Sequence, residues 1–137
     1  MIGIDTNILV RYIVQDDEAQ AVLASRLLED TMTEKTPGLV SAIVLCELVW
    51  VLRRAYGYER EQVIGVLRTL LSTAGLIVDR VDDAWRALAE YESGPADFSD
   101  YYIAQMNRTL HAETTYTLDQ KAGKGNHFTL LENSIEP

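Results

Sequence analysis

Five acidic residues stand where acids are not routine, and the chemistry open to a carboxylate is to move a proton or to ligate a hard cation. Asp5 follows the apolar run Ile2-Gly3-Ile4 and precedes Thr6-Asn7, where a first strand should end. An aspartate in that place also serves as a helix N-cap, and local sequence leaves cap and site level. Glu47 interrupts AIVLCELVWVL, a segment apolar almost all the way round, which predicts a buried helix. A carboxylate in such surroundings is costly unless it is paired, protonated or bound to a metal. With Ser41 as N-cap the reciprocal capping position is Val44, so Glu47 lies too deep for that role. The plainer alternative is an ion pair with Arg53 or Arg54, but Arg54 lies about two turns along the helix, a long reach. The balance favours a site.

Asp97 and Asp100 fall in SGPADFSDYYIAQ, where a loop becomes a helix. As N-cap and N3 residues they would form an acid-x-x-acid helix start. The two positions differ, because an N-cap carboxylate is committed to backbone N–H groups while one at N3 can point outward. Asp100 is therefore the better ligand. Asp119 closes TTYTLD, two residues after Thr117, at a second strand end. The competing reading there is a turn aspartate leading into the loop KAGKGN.

Carboxylates brought within a few ångströms raise one another's pKa, and a divalent cation removes that penalty. All-oxygen ligation suits Mg2+ or Mn2+, as one ion or two. Such a site has the chemistry for hydrolysis of a phosphodiester, since the metal acidifies a water and neutralises charge. Neither His111 nor His127 is spaced as a zinc pair, and Cys46 reads as core packing. The chain contains no glycine-rich phosphate loop and no Ser-His-Asp spacing.

Positioning these acids requires strand ends and helix starts in one sheet architecture. A strand at Met1–Ile4 leads into the helix TNILVRYIV, and DDEAQAVLASRLLEDTMT is a second, amphipathic helix. Thr36-Pro37-Gly38 breaks the chain before a short strand at Leu39-Val40. Ser41 then caps the helix carrying Glu47, which Gly57 ends. Further helices are predicted in EREQVIGVLRTLLSTAG, in DDAWRALAEYESG, and from Asp97 to about His111, the last anchored by Tyr102, Ile103 and Met106. LIVDRV, TTYTLD and HFTLLE read as strands. Alternating strands and helices without a repeat or linker predict one α/β domain over residues 1–137, built on a mostly parallel sheet. Such sheets carry their sites at the carboxyl ends of the strands.

The formal charge of −9, from 21 acids against 12 Lys and Arg, argues against holding nucleic acid by broad phosphate neutralisation. Cations at a local site would have to recruit a polyanion. One cysteine excludes an internal disulfide, and the opening MIGIDTN lacks the apolar stretch of a secretory leader. No apolar run approaches the roughly 20 residues of a membrane span. A cytoplasmic protein is expected.

The same residues carry a family resemblance. Asp5-Thr6-Asn7 after an N-terminal strand, Ser41 through Glu47 on a helix, Asp100-Tyr-Tyr-Ile-Ala, and Thr117-Leu-Asp119 resemble, in order, the acidic motifs of the PIN domain. In length and motif order the chain is similar to the VapC-type toxins of toxin–antitoxin pairs. The resemblance implies a three-layer α/β/α sandwich with a central mostly parallel sheet, Mg2+- or Mn2+-dependent ribonuclease activity, a homodimer and a cognate antitoxin. It assigns Asp5, Glu47, Asp100 and Asp119 to the metal-binding quartet and Asn7 and Thr117 to orienting polar positions. Asp97 would be an outer-shell group, and Arg11, Arg53 and Arg54 candidate RNA contacts. An antitoxin arginine could enter the acids as a bidentate partner. The competing readings are a receiver-like signalling domain with an acidic Mg2+ pocket and a PIN-like domain kept only for binding. A receiver would need an acidic pair after the first strand and a lysine ending a late strand, whereas Lys121 and Lys124 fall in a loop.

Overall fold

The computed structural model of the chain describes residues 1–132; the last five residues of the expected 1–137 domain lie outside the described residues. It divides into two compact units, Met1–Val81 and the stretch from Asp82 onward.

In the first unit, β1 (Ile2–Gly3), β2 (Gly38–Val40) and β3 (Leu76–Val78) form a parallel sheet in the order β1-β2-β3. Ile2 stands opposite Gly38, and Val40 opposite Val78. Parallel neighbours need crossovers, which the helices supply. Helices α1 (Thr6–Val14) and α2 (Glu18–Arg26) lead from β1 to β2, while α3 (Ala42–Arg54) and α4 (Arg60–Leu71) lead from β2 to β3. Ser41 caps α3 by accepting the Val44 N–H at 3.3 Å, and the chain leaves that helix through Gly57 in the left-handed region. The second helix is shorter than the sequence predicts: after Arg26 it widens into a π-helical turn, Leu27–Thr31. Leu9, Val40, Leu45, Leu48, Leu52, Val63 and Leu67 are fully buried. Each such side chain contributes about 1.5–3 kcal/mol of transfer free energy to this core.

The second unit contains α5 (Val81–Ser93) from its second residue on, α6 (Phe98–Thr109) and the parallel pair β4 (Thr115–Thr117) and β5 (Phe128–Leu130), with Thr115 opposite Phe128. Tyr91 meets Phe98 edge-on at 6.0 Å between ring centroids, and Phe98 meets Tyr102 at 5.3 Å. The anchor of α6 differs from expectation. Its buried side chains Phe98, Tyr101, Tyr102 and Gln105 follow helical spacing, whereas Ile103 lies off that stripe and is 45% exposed.

Among the described residues every strand pairing is parallel, and helices alternate with strands along the chain. This is the α/β class expected, in agreement with a PIN-like three-layer α/β/α fold. Among the described residues, no helix is long and apolar enough to cross a membrane.

Candidate active site

In the first unit, one threonine aims two carboxylates. Asp5 is the extended N-cap of α1, and its Oδ1 accepts the Thr6 backbone N–H at 2.8 Å. The buried Thr6 side chain turns toward α3, where its hydroxyl donates to Glu47 Oε1 at 2.6 Å. The cap and site readings of Asp5 are therefore compatible: one oxygen serves the helix, and Oδ2 has no hydrogen-bond partner among the described residues.

The environment expected for Glu47 is corrected. Helix α3 buries a single stripe, Leu45, Leu48, Val49 and Leu52, and leaves Ile43 and Trp50 exposed with Glu47. Apolar composition does not by itself enclose a helix, because folded proteins keep much apolar surface in water. Glu47 therefore keeps its contact with water, and burial does not force it to pair. The ion pair with Arg53 or Arg54 is also not formed; the partner of Glu47 is the Thr6 hydroxyl, and Arg54 lies over the Trp50 ring. What singles out Glu47 is its orientation.

Asp5, Thr6, Asn7 and Glu47 line one groove of about 380 Å3, together with Arg11 and Trp50. Arg11 is already engaged: its guanidinium donates to Gln20, to Asp16 at 3.1 Å and to the Tyr56 hydroxyl at 3.1 Å. Tyr56 in turn donates to Asp16 at 2.9 Å, which closes a network that stiffens this wall. Arg53 and Arg54 are exposed at the end of α3.

In the second unit, Asp97 and Asp100 form a reciprocal capping box at the start of α6. The Asp97 N–H donates to Asp100 Oδ2 at 3.2 Å, so Asp100 also turns one oxygen back to the helix start rather than pointing wholly outward. Partial burial holds the Asp100 carboxyl above the usual carboxylate value, and the charges of Asp97 and Asp119 add to that effect against the Asp97 N–H bond. Asp119 does act as a turn residue. Its Oδ1 accepts the N–H groups of Lys121 at 2.8 Å and Ala122 at 3.1 Å, while Thr117 Oγ1 accepts the Asp119 N–H at 3.0 Å. Thr117 thus orients the aspartate through the backbone.

The donor set fits a hard cation in chemistry. Asp5, Glu47, Asp100 and Asp119 each commit one oxygen to the protein, and the second has no hydrogen-bond partner among the described residues. The raised Asp100 pKa reflects burial first and the neighbouring charges of Asp97 and Asp119 after it. Among the described residues, no group of three or more His, Cys, Asp or Glu is arranged to hold a metal ion. Within each unit the free oxygens, of Asp5 and Glu47 in the first and of Asp100 and Asp119 in the second, are donors of the type Mg2+ accepts alongside waters and phosphates. Cys46 takes no part, since burial pushes its thiol up to about 11.

Three groove residues with polar or aromatic side chains escaped the sequence reading: Thr6, Trp50 and Tyr56. Thr6 was visible only as a neighbour of Asp5. Trp50, three positions after Glu47, falls on the same helical face, a signal that spacing alone could have supplied.

The family model of the PIN domain matches residues 2–123, a span that contains Asp5, Glu47, Asp97, Asp100 and Asp119. No curated protein and no solved structure matches the chain. PIN domains are generally nucleases, and they typically use divalent metal ions.

Proposed function

Because the chain belongs to the PIN domain family, we propose that it is a Mg2+- or Mn2+-dependent endoribonuclease, the toxin member of a toxin–antitoxin pair of the VapC type. The observation that carries the reading is the double use of Thr6, whose amide holds Asp5 and whose hydroxyl holds Glu47. A helix cap needs only the first of these bonds. The second serves to present a glutamate in a fixed direction.

Asp5, Glu47, Asp100 and Asp119 would hold one ion or two, with Asp97 in an outer shell. When bound, the cation would supply Lewis acidity and charge neutralisation at a phosphodiester. Thr6 and Thr117 orient carboxylates, and Asn7 offers an amide to substrate or water. Arg53 and Arg54 are the exposed candidates for RNA contact; Arg11 serves first in its network with Asp16 and Tyr56.

We further propose that residues 1–137 work as one PIN-like domain in a cytoplasmic homodimer neutralised by an antitoxin. Support for a partner segment comes from an apolar groove of about 570 Å3 in the first unit, walled by Leu9, Ile13, Met32, Val66 and Leu70. The acidic charge of the chain suits a basic partner.

The test is cleavage of single-stranded and structured RNAs in Mg2+, Mn2+ or EDTA by the wild type and by Asp5→Asn. Metal-dependent cleavage that Asp5→Asn abolishes is expected. Cleavage indifferent to EDTA or to Asp5 would overturn the metal mechanism, and a folded wild type that cleaves nothing would leave a PIN-like binding domain. Recovery from the native host without a small bound protein would count against the antitoxin.

A further inference from the structure

Helix α3 turns Glu47, Trp50 and Arg54 to the same side, at the i, i+3 and i+7 positions of one face. Trp50 is 58% exposed, an unusual place for the largest apolar side chain of a small protein. The Arg54 guanidinium lies over its ring, 5.8 Å from the centroid. Trp50 also lines the groove that holds Asp5, Asn7 and Glu47. An exposed indole backed by a cation therefore stands beside two of the carboxylates assigned to phosphodiester chemistry.

The charge balance gives this indole a task. With 21 acids against 12 Lys and Arg, the surface cannot grip a polyanion by neutralising many phosphates. A single-stranded nucleic acid can be held instead by its bases. Every base has a π-face, and stacking on an aromatic side chain tolerates sequence while fixing the strand's path. A guanidinium on the ring reinforces such a stack.

We propose that Trp50, backed by Arg54, is a base-stacking platform that seats one nucleobase of single-stranded RNA beside Asp5 and Glu47. This inference rests on the nuclease reading and names its substrate class, unpaired RNA. A duplex keeps its bases stacked on one another and gives the platform nothing to hold.

The experiment reads stacking apart from cleavage. In a Trp85→Phe background Trp50 is the remaining tryptophan, since the chain has two. Its fluorescence is titrated with a short single-stranded oligoribonucleotide in Ca2+, with double-stranded RNA as a control, while cleavage is measured separately in Mn2+. Expected are saturable quenching by the single strand, none by the duplex, and, read by the anisotropy of the same oligoribonucleotide carrying a terminal dye, an affinity lowered about fivefold to a hundredfold in Trp50→Ala. Trp50→Phe should recover most of that loss. No quenching, equal quenching by duplex, or a Trp50→Ala affinity equal to wild type overturns the proposal. So does a wild-type dimer that Trp50→Ala turns into monomers in sedimentation, because the indole would then seat a second copy of the chain. Quenching without cleavage would sink the nuclease reading and keep the platform; cleavage without quenching would do the reverse.

Discussion

The Thr6 hydroxyl donates to Glu47 Oε1 at 2.6 Å, which ties the first turn of α1 to the middle of α3, 41 positions further along the chain. Since the Thr6 amide holds Asp5, a single buried residue sets the direction of both carboxylates.

Thr6→Val removes the hydroxyl and keeps the shape. Glu47 is exposed, so its freed oxygen is hydrated at little cost, and the fold should hold. The expected loss is in function. RNA cleavage should fall about tenfold to a hundredfold, with weaker Mn2+ binding, as when a ligand-orienting partner is removed. Thr6→Ser should recover most of both. Full activity in the valine variant, measured as kcat/KM on a single-stranded RNA, would show that Glu47 needs no orienting partner.

Gly94 lies between α5 and α6, where a Cβ would run into the hydroxyl of buried Tyr101 and approach the Glu90 carbonyl. That hydroxyl accepts the Ala96 N–H at 3.2 Å just before the Asp97 cap. Gly94→Ala should therefore destabilise by about 1–3 kcal/mol, the usual cost of overpacking. Chemical denaturation would read it. An unchanged midpoint would mean that the loop shifts freely and that the hydroxyl contact does not hold the start of α6.

The elements and the local placement of the acids on them were legible because local rules govern both: strand ends, caps and helical spacing are written within about ten residues. Ser41 caps α3 and Asp97 pairs with Asp100 as spacing dictates. What could not be read was which face of a helix is covered. AIVLCELVWVL has more apolar residues than one buried stripe can use, and the choice of Leu45, Leu48, Val49 and Leu52 belongs to the neighbours of α3. Ile103 shows the same effect on α6. The Thr6–Glu47 bond was invisible for a different reason, since it joins residues that only tertiary packing brings together.

Cys46 precedes Glu47 yet is chemically quiet. Burial raises its thiol to about 11, so about one thiol in ten thousand is ionised at pH 7. Alkylation by iodoacetamide at that pH should run about a hundredfold slower than for an unhindered cysteine, and Cys46→Ser should keep RNA cleavage. Rapid labelling of the native protein would mean that α3 opens readily.

The raised pKa of Asp100 makes stability depend on pH in a definite direction. An unfolded carboxyl titrates near about 3.9. The folded value is higher, from burial first and then from the charges of Asp97 and Asp119. The contribution of this group is therefore fully present below the unfolded pKa and is lost as pH rises through the folded one. Ionising Asp100 is therefore less favourable in the metal-free fold than in the unfolded chain. Asp100→Asn keeps an oxygen for the Asp97 N–H and removes the charge, so it should raise the Tm of metal-free protein at pH 7 but not at pH 3.5. Mg2+ should raise the wild-type Tm at pH 7 and do so less in Asp100→Asn. Asp97→Asn, which alters the outer member of the capping box, should keep most of the Mg2+ effect. Equal loss of that effect in the two variants would end the distinction between Asp100 as ligand and Asp97 as cap. A metal-free Asp100→Asn less stable than wild type at pH 7 would show that the capping bond outweighs the repulsion.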